Sequence, residues 1–286
     1  WNANGQLGDG TTTDRNSPRL IGSCTWKAIA AGYYHSLGIR ADDRLLAWGL
    51  NAYGQLGDGT TTKRTSPILI GSCTWKAIAA GQYHSLGIRA DDKLFAWGYN
   101  NYGQLGDGTT TDRNSPTLIG SCTWKAVSAG LYHSLGIRAD DCLLAWGLNA
   151  NGQLGDGTGS TRYSPTLIGS CTWKAVSAGL YHSLGIRADD CLLAWGYNEY
   201  GQLGDGTTTD RNSPRLIGSC TWKAVSAGLY HSLGIRADDR LLAWGLNANG
   251  QLGDGTGSTR YSPTLIGSCT WKAIAAGQYH SLGIKV

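Results

Sequence analysis

Methionine is absent from the chain, and glutamate and phenylalanine occur only once each, as Glu199 and Phe95. Met and Glu are strong helix formers, so a chain that lacks them has few segments suited to α-helices. Glycine is abundant instead, with 43 of the 286 residues, and Thr, Ser and Asp are frequent. These residues favour turns between strands. The composition therefore predicts an all-β protein rich in turns.

Charged residues are also scarce, at 15% of the chain, and the formal net charge is only +4. So small a net charge gives no reason to expect a nucleic-acid partner. No apolar run approaches the roughly 18 residues that would span a membrane. No basic segment followed by an apolar one indicates a signal peptide. We therefore expect no nucleic-acid partner and no membrane association.

A repeat of 49 residues organises the whole sequence. Trp-Gly recurs at this spacing from Trp48 to Trp244, and the heptapeptide Ile-Gly-Ser-Cys-Thr-Trp-Lys occurs six times. Its copies begin at Ile21, Ile70, Ile119, Ile168, Ile217 and Ile266. Self-similarity at a period of about 40 to 50 residues is typical of propellers and other repeat folds. We predict a single domain, residues 1–286, built from six near-identical units.

Each unit contains four short segments with strand character. In the first copy they are Trp26–Ala31, Ser36–Ala41 and Arg44–Gly49, with a tight turn at Asp42-Asp43. The fourth follows a long polar loop and begins with a Ser-Pro pair, as at Ser66–Gly71. Four short antiparallel strands per unit of this length are typical of a propeller blade. The sequence therefore predicts a six-unit β-propeller of four-stranded antiparallel blades.

Three motifs carry a family resemblance: Ala30–Leu37, Ala47–Gly57 and Ser66–Ile70. Together they resemble the repeat of the regulator of chromosome condensation family, in six copies and over essentially the whole chain. The resemblance implies a β-propeller, usually seven-bladed, whereas this chain has six units and Asp-Asp where the family often has Asp-Gly. It also implies activities as different as nucleotide exchange on a small GTPase and inhibition of β-lactamases. Those use loops outside the repeat consensus, so neither is assigned to residues of this chain.

The last unit is incomplete. It has an inner strand, Trp271–Ala276, and a second strand, Ser281–Val286, but no third strand follows. We expect its outer strand to come from the N-terminal segment Ser17–Gly22. An empty third position would leave strand edges and apolar surface exposed. Either further residues or a second chain would fill the gap, which allows self-association, or the outer strand would move inward and pair with Ser281–Val286.

Histidine and cysteine each recur at one position of the unit. Six equivalent His, represented by His35, could form a metal-binding ring, but zinc ligands lie about 2 Å from the metal and would have to crowd the axis. We interpret them as structural. Equivalent Cys, such as Cys24, should be too far apart for disulfides. We expect mostly free thiols, with pairing of Cys142 or Cys191 left open. No metal or cofactor is expected.

No catalytic constellation is recognisable. The Gly-Asp-Gly-Thr loop, as at Asp9, has one carboxylate and so lacks the ligands of a calcium site, and no Lys-Ser or Lys-Thr follows at the spacing of a phosphate-binding loop. His35 and Ser36 are adjacent along a strand, so their side chains should point apart. Asp9 lies near Arg15, and Asp42 near Lys27, which predicts mixed charge on both faces. We predict that the protein is not an enzyme.

The differences among copies are concentrated in the loops expected on one face. A rigid scaffold with variable loops is a common way to build a binding surface. We therefore predict a scaffold for protein–protein binding. Its candidate contact residues are Tyr33, Leu50, Tyr53, Gln82, Tyr99, Tyr102, Leu131, Tyr163, Glu199 and Tyr261. The alternative is a designed or recently amplified symmetric propeller with no selected ligand, which the near-identity of the copies favours.

Overall fold

The computed structural model describes residues 1–286, except for the side chain of Cys220. All regular structure is β. The strands are β1 (Trp26–Ala31), β2 (His35–Arg40), β3 (Arg44–Gly49), β4 (Arg64–Ala80), β5 (His84–Arg89), β6 (Lys93–Gly98), β7 (Arg113–Ala129), β8 (His133–Arg138), β9 (Cys142–Gly147), β10 (Arg162–Ala178), β11 (His182–Arg187), β12 (Cys191–Gly196), β13 (Arg211–Ala227), β14 (His231–Arg236), β15 (Arg240–Gly245), β16 (Arg260–Ala276) and β17 (Ser281–Lys285). No helix among the described residues is long and apolar enough to cross a membrane.

The blades are joined by long shared strands. The predicted outer strand Ser66–Gly71 and the following inner strand are not separate, because β4 runs without interruption through the Gly-Ser-Cys-Thr segment. Its first half pairs antiparallel with β3, where Leu46 lies opposite Leu69. Its second half pairs with β5 of the next blade, where Ala79 lies opposite Leu86. The same arrangement recurs, so the chain forms a six-unit β-propeller with five four-stranded blades and an incomplete sixth.

The sixth blade consists of the second half of β16 paired with β17. The expected outer strand Ser17–Gly22 is not formed; these residues have no strand structure and are largely exposed, with Leu20 at 90%. The alternative prediction, that Ser17–Gly22 moves inward and pairs with β17, is therefore also wrong. The physical reason is that an outer strand pairs with a third strand, as β4 pairs with β3, and the sixth blade has none.

The hydrophobic core lies between blades. One cluster joins Leu86 and Leu94 of one blade to Trp124 and Trp146 of the next. The two indoles meet edge to face, with ring centroids 5.7 Å apart. The second strand carries glycine where these rings pack: a Cβ on Gly136 would lie 2.5 Å from the Trp124 ring. Because Gly136 has no side chain, both indole rings can pack against its backbone.

Neighbouring blades approach each other closely at the end of each inner strand. A Cβ on Gly130 would lie 2.6 Å from the carbonyl oxygen of Gly179 and 2.4 Å from the His133 ring. Such distances leave no room for a side chain. The small residues of the first strands and their terminal glycine therefore allow the inner strands to converge.

Candidate protein-binding face

Two kinds of connection form one face of the propeller, which we call the loop face. They are the long loops after the third strands, such as 50–63 and 99–112, and the short connections from first to second strands, such as 81–83. Ring contact between Tyr53 of a long loop and Tyr83 of a short connection, at 5.2 Å, shows that they meet. The Asp-Asp turns and the Gly-Ser-Cys-Thr segments form the opposite face, which we call the turn face.

A buried asparagine organises each long loop. In the loop 99–112 the side-chain amide of Asn100 donates to the carboxylate of Asp107 and to the backbone carbonyls of Thr109 and Thr111, each at 3.1 Å. Its own Oδ1 accepts the backbone N–H of Leu105 at 3.0 Å. Asn100 is fully buried, so these bonds are shielded from water. The loop is thereby a fixed platform for its side chains.

An ion pair completes each loop. Asp58 pairs with Arg64 at the start of β4, with 2.6 Å between the carboxylate and guanidinium. Burial alone would raise the pKa of Asp58, but hydrogen bonds from Thr60 and Arg64 outweigh it and hold that pKa below its ordinary value. The repeated acidic group of the loop is therefore ionised and already neutralised by the arginine that begins the following strand. It serves the loop's structure and is not a free ligand.

An apolar plug fills the centre of the loop face. Leu131, Leu180 and Leu229 form a buried cluster, with Tyr33 packed against it. The backbone N–H of Leu131 also donates to the carbonyl of Leu180 at 3.3 Å. Burial, followed by the charges of neighbouring tyrosines, raises the pKa of Tyr33 far above its ordinary value. The plug therefore closes the centre of the face.

Tyrosines surround this plug in two groups. The first tyrosine cluster consists of Tyr34, Tyr53, Tyr83, Tyr99, Tyr102 and Tyr132. The second tyrosine cluster consists of Tyr181, Tyr197, Tyr200 and Tyr230. The two share one geometry: ring centroids are 4.9 Å apart for Tyr102 and Tyr132 and 5.0 Å apart for Tyr200 and Tyr230. Tilted and edge contacts of this kind are favourable for aromatic pairs.

The predicted contact residues fall into several environments. Tyr53, Tyr99 and Tyr102 lie together in the first tyrosine cluster, and Tyr53 and Tyr102 are more than one-third exposed. Tyr33 belongs to the plug, and Leu131 is buried in it with only 5% exposure. Tyr53 and Tyr102 are thus accessible on the loop face, whereas Leu131 is not.

The remaining five are not members of either tyrosine cluster or of the plug. Tyr163 and Tyr261 are exposed near the starts of β10 and β16. Glu199 is exposed and accepts a hydrogen bond from the hydroxyl of Tyr197. Leu50 and Gln82 are half-buried.

Some tyrosines of the loop face are identical in every unit, and the sequence prediction did not include them. Tyr83, Tyr132, Tyr181 and Tyr230 precede the histidine of each second strand and form much of both clusters. Variation cannot identify a position that does not vary. The available signal was location, since each of these tyrosines directly follows a variable position such as Gln82.

Histidine joins each blade to the next. The His84 Nε2 lies 3.0 Å from the Ser134 Oγ of the following blade. That hydroxyl donates to the backbone carbonyl of Gln104 at 2.8 Å, so the imidazole is the donor to serine. The Trp146 Nε1–H donates to the same carbonyl at 2.9 Å. His84 and Ser134 are completely buried, so this pair is an interblade contact, in agreement with a structural interpretation of the histidines.

The seven cysteine side chains that the structure describes form no disulfide with one another, and four of them, Cys73, Cys122, Cys171 and Cys269, are exposed. Cys142 and Cys191 are free and half-buried, and pairing is not observed for either. No group of three or more His, Cys, Asp or Glu side chains suited to a metal ion occurs in the described part of the chain.

Repeat models decide the family. The regulator of chromosome condensation (RCC1) repeat matches residues 1–39, 42–88, 91–137, 140–186, 189–235 and 238–284. The chain belongs to the RCC1 repeat family. A second RCC1 repeat model matches five segments between residues 26 and 251. A search of curated proteins gives no match.

Several solved structures have the same fold. Human WBSCR16 superposes with a TM-score of 0.82 at 22% identity, over 89% of this chain and 70% of that one. Prp20p of Saccharomyces cerevisiae gives 0.81 at 21% identity, over 91% and 69%. The CRINKLY WD40 ectodomain of the Arabidopsis thaliana receptor kinase ACR4 gives 0.59 at 18% identity, over 93% and 77%. At these identities the likeness shows the propeller fold alone.

Proposed function

We propose that this RCC1-repeat propeller is a non-catalytic scaffold that binds another protein through its loop face. One observation carries the proposal: the positions that differ among otherwise near-identical units include exposed aromatic side chains on rigid loops, of which Tyr53 and Tyr102 are examples. Tyrosine supplies a large contact area at low entropic cost, and it is enriched at protein interfaces. Because hydrogen bonds to Asn100 hold the loop, ordering it on binding costs little.

The test uses substitutions that the chain already tolerates. Asn4 and Asn151 stand where Tyr53 and Tyr102 stand in other units, so Tyr53→Asn and Tyr102→Asn should leave folding intact. A photo-crosslinking amino acid placed next to Tyr102, at Asn101, should capture a protein from the source lysate, and the double variant should reduce capture at least tenfold. The same crosslinker at Asp91 on the turn face should capture nothing specific. Capture at Asp91 that the double variant leaves unchanged would contradict the proposal.

The alternative, an amplified propeller without a selected ligand, is favoured by the near-identity of the units. It expects that neither position captures a partner and that replacing both exposed tyrosines has no effect beyond stability. The two functions therefore give opposite results in the same experiment.

A further inference from the structure

When the groups that form ion pairs are set aside, the remaining charges on the two faces have opposite signs. The repeated loop aspartates are each paired with arginine, as Asp107 is with Arg113 at 2.7 Å. Among the side chains of the long loops this leaves the carboxylates of Asp14, Asp112, Glu199 and Asp210, and one cationic group, that of Lys63. No Lys or Arg side chain of the described residues forms an ion pair with these four carboxylates. The expectation of mixed charge holds for the paired groups, but the remaining charge of the loop face is negative.

On the turn face the charge that remains outside ion pairs is positive. Its repeated charges are paired, as Lys76 is with Asp92 at 2.6 Å. Additional cations begin three of the third strands. Lys93 and Arg240 donate to backbone carbonyls of the neighbouring long strand, at Ser121 and Ser268, rather than to carboxylates. The excess of negative charge is thus specific to the face that carries the tyrosines.

Three of the four unpaired carboxylates, Asp112, Glu199 and Asp210, belong to the loops that contribute tyrosines to the two clusters. Asp112 accepts the backbone N–H of Asn100 at 2.8 Å, beside Tyr99. Asp210 occupies the equivalent place and accepts the N–H of Asn198 at 2.7 Å. Burial raises the pKa of Tyr99 above its ordinary value, and the carboxylate of Asp112 adds to that effect.

Tyrosine and carboxylate also occur together from unit to unit. The loops 99–112 and 197–210 have tyrosine at two positions and Asp at their ends, whereas the loop 148–161 has Leu148, Asn151 and Thr161 instead. The loop 246–259 repeats this neutral, non-aromatic set. Between residues 99 and 259, loops with both features therefore alternate with loops that have neither, which gives two similar aromatic and acidic sites. The loop 50–63 differs from both kinds, with Tyr53 and Lys63.

We infer that the loop face takes a Lys- or Arg-bearing segment of its protein partner, with cationic side chains held over the tyrosine rings and beside Asp112, Glu199 and Asp210. This inference rests on the proposed function. A cation within about 6 Å of a ring centroid is attracted by the ring face, and a nearby carboxylate adds to that attraction. Tyr102 is 37% exposed, and its two ring contacts are edge-on and tilted rather than stacked, so ring surface is open to such a group. An acidic segment would be repelled by the same carboxylates.

The test selects random 12-residue peptides displayed on phage against the full 286-residue chain. Lys and Arg should be enriched at least threefold in the selected pool, and synthetic selected peptides should bind more weakly as salt rises. The matched variant gives the two acidic loops the residues of the neutral loop: Tyr99→Leu, Tyr102→Asn and Asp112→Thr in one, and Tyr197→Leu, Glu199→Ala, Tyr200→Asn and Asp210→Thr in the other. The chain itself uses each of these residues at the equivalent position, so the variant should fold. Binding should fall at least tenfold.

A second variant separates the effect of charge from that of aromatic contact. It carries only Asp112→Thr, Glu199→Ala and Asp210→Thr. It should weaken cationic peptides about tenfold and leave any neutral peptide unchanged. Peptides that bind the loop face without Lys or Arg enrichment, or that bind this variant equally well, overturn the cationic inference and leave the protein-binding proposal standing. Failure to select any peptide also overturns it, whereas capture confined to the turn face in the crosslinking test overturns the proposed function itself.

Discussion

Five histidines are buried at the contacts between blades, each with one ring nitrogen bonded and one without a partner. In His133 the Nε2 lies 3.0 Å from the Ser183 hydroxyl, and Nδ1 has no partner among the described groups. A charged imidazolium would have to be desolvated with one of its two donors unsatisfied. Burial accordingly lowers the pKa of His133 to about 3 and that of His231 to about 4.

We expect the propeller to lose stability in mild acid because of these histidines. In the unfolded chain their pKa is about 6.5, so between roughly pH 6.5 and 3 the unfolded state binds more protons and the free energy of unfolding falls as pH falls. His133→Gln should reduce that slope between about pH 6.5 and 4.5, measured by urea unfolding. Aspartates with lowered pKa contribute only below about pH 4. His280→Gln, at the exposed equivalent position, is the control; an equal effect there would contradict the assignment.

The glycine at the inner end of each blade permits the close approach described above. Gly130→Ala should lower the free energy of unfolding by about 2 kcal/mol or more, because the added Cβ meets a backbone carbonyl that cannot move independently. Gly159→Ala is the matched control, since its Cβ would have no neighbour nearer than 3.8 Å. Guanidinium denaturation of both variants gives the comparison. Equal stabilities would mean that the inner strands separate at little cost.

At the scale of the loop, one asparagine side chain replaces the regular hydrogen bonding of a strand. Asn100→Ala removes an amide that satisfies three acceptors and an oxygen that satisfies the N–H of Leu105. We expect a loss of about 2 to 3 kcal/mol, because the remaining partners stay buried. Amide hydrogen exchange at Leu105 should accelerate at least tenfold. The neighbouring Asn101→Ala, at an exposed position, should change neither; protection of Leu105 in the Asn100 variant would refute the role.

The strands that alternate apolar and small residues were predictable, and Trp26–Ala31 and Arg44–Gly49 have the expected bounds. The fusion of outer and inner strands was not, because Gly71 resembles a break in the sequence. In the structure Gly71 adopts a φ of 59°, and the pairing skips residues there while the strand continues. The pairing of Ser17–Gly22 could not be read from its own residues, since a strand forms only against a partner.

The candidate site was predictable only where copies differ. Variation selected Tyr53 and Tyr102, which are exposed in the structure, but it also selected the buried Leu131, because the sequence does not show how far a residue lies from the axis. Invariant Tyr132 contacts Tyr102 and was missed for the opposite reason. The sequence places Asp9 near Arg15, but only coordinates show that each such pair forms an ion pair within its own unit, as Asp107 does with Arg113, and so leaves the other loop carboxylates in excess.

At the scale of the whole molecule, the 286-residue chain exposes apolar surface on its last blade, including Leu282 at 65% and Ile284 at 61%. Appending Asp-Asp-Arg-Leu-Leu-Ala-Trp-Gly, the sequence of Asp42–Gly49, should supply a third strand between β17 and Ser17–Gly22. We expect a melting temperature several degrees higher and less self-association, because about 1 kcal/mol shifts the midpoint by roughly 2 to 4 °C at this size. Calorimetry and light scattering measure the two effects. If neither changes, the ends do not meet through this strand.

Each contact between blades joins residues at a constant separation: His35 to Ser85 and His84 to Ser134 are both 50 positions apart, and Ser85 lies 30 positions from Gln55. If recombination removes or duplicates one 49-residue repeat, the blades that become neighbours can therefore form the same His–Ser and Ser–Gln contacts, and no compensating substitution is needed. Gene length can change in steps of one blade while every junction stays complementary. The curvature of the ring, rather than compatibility of neighbours, then limits how many blades such a gene can encode.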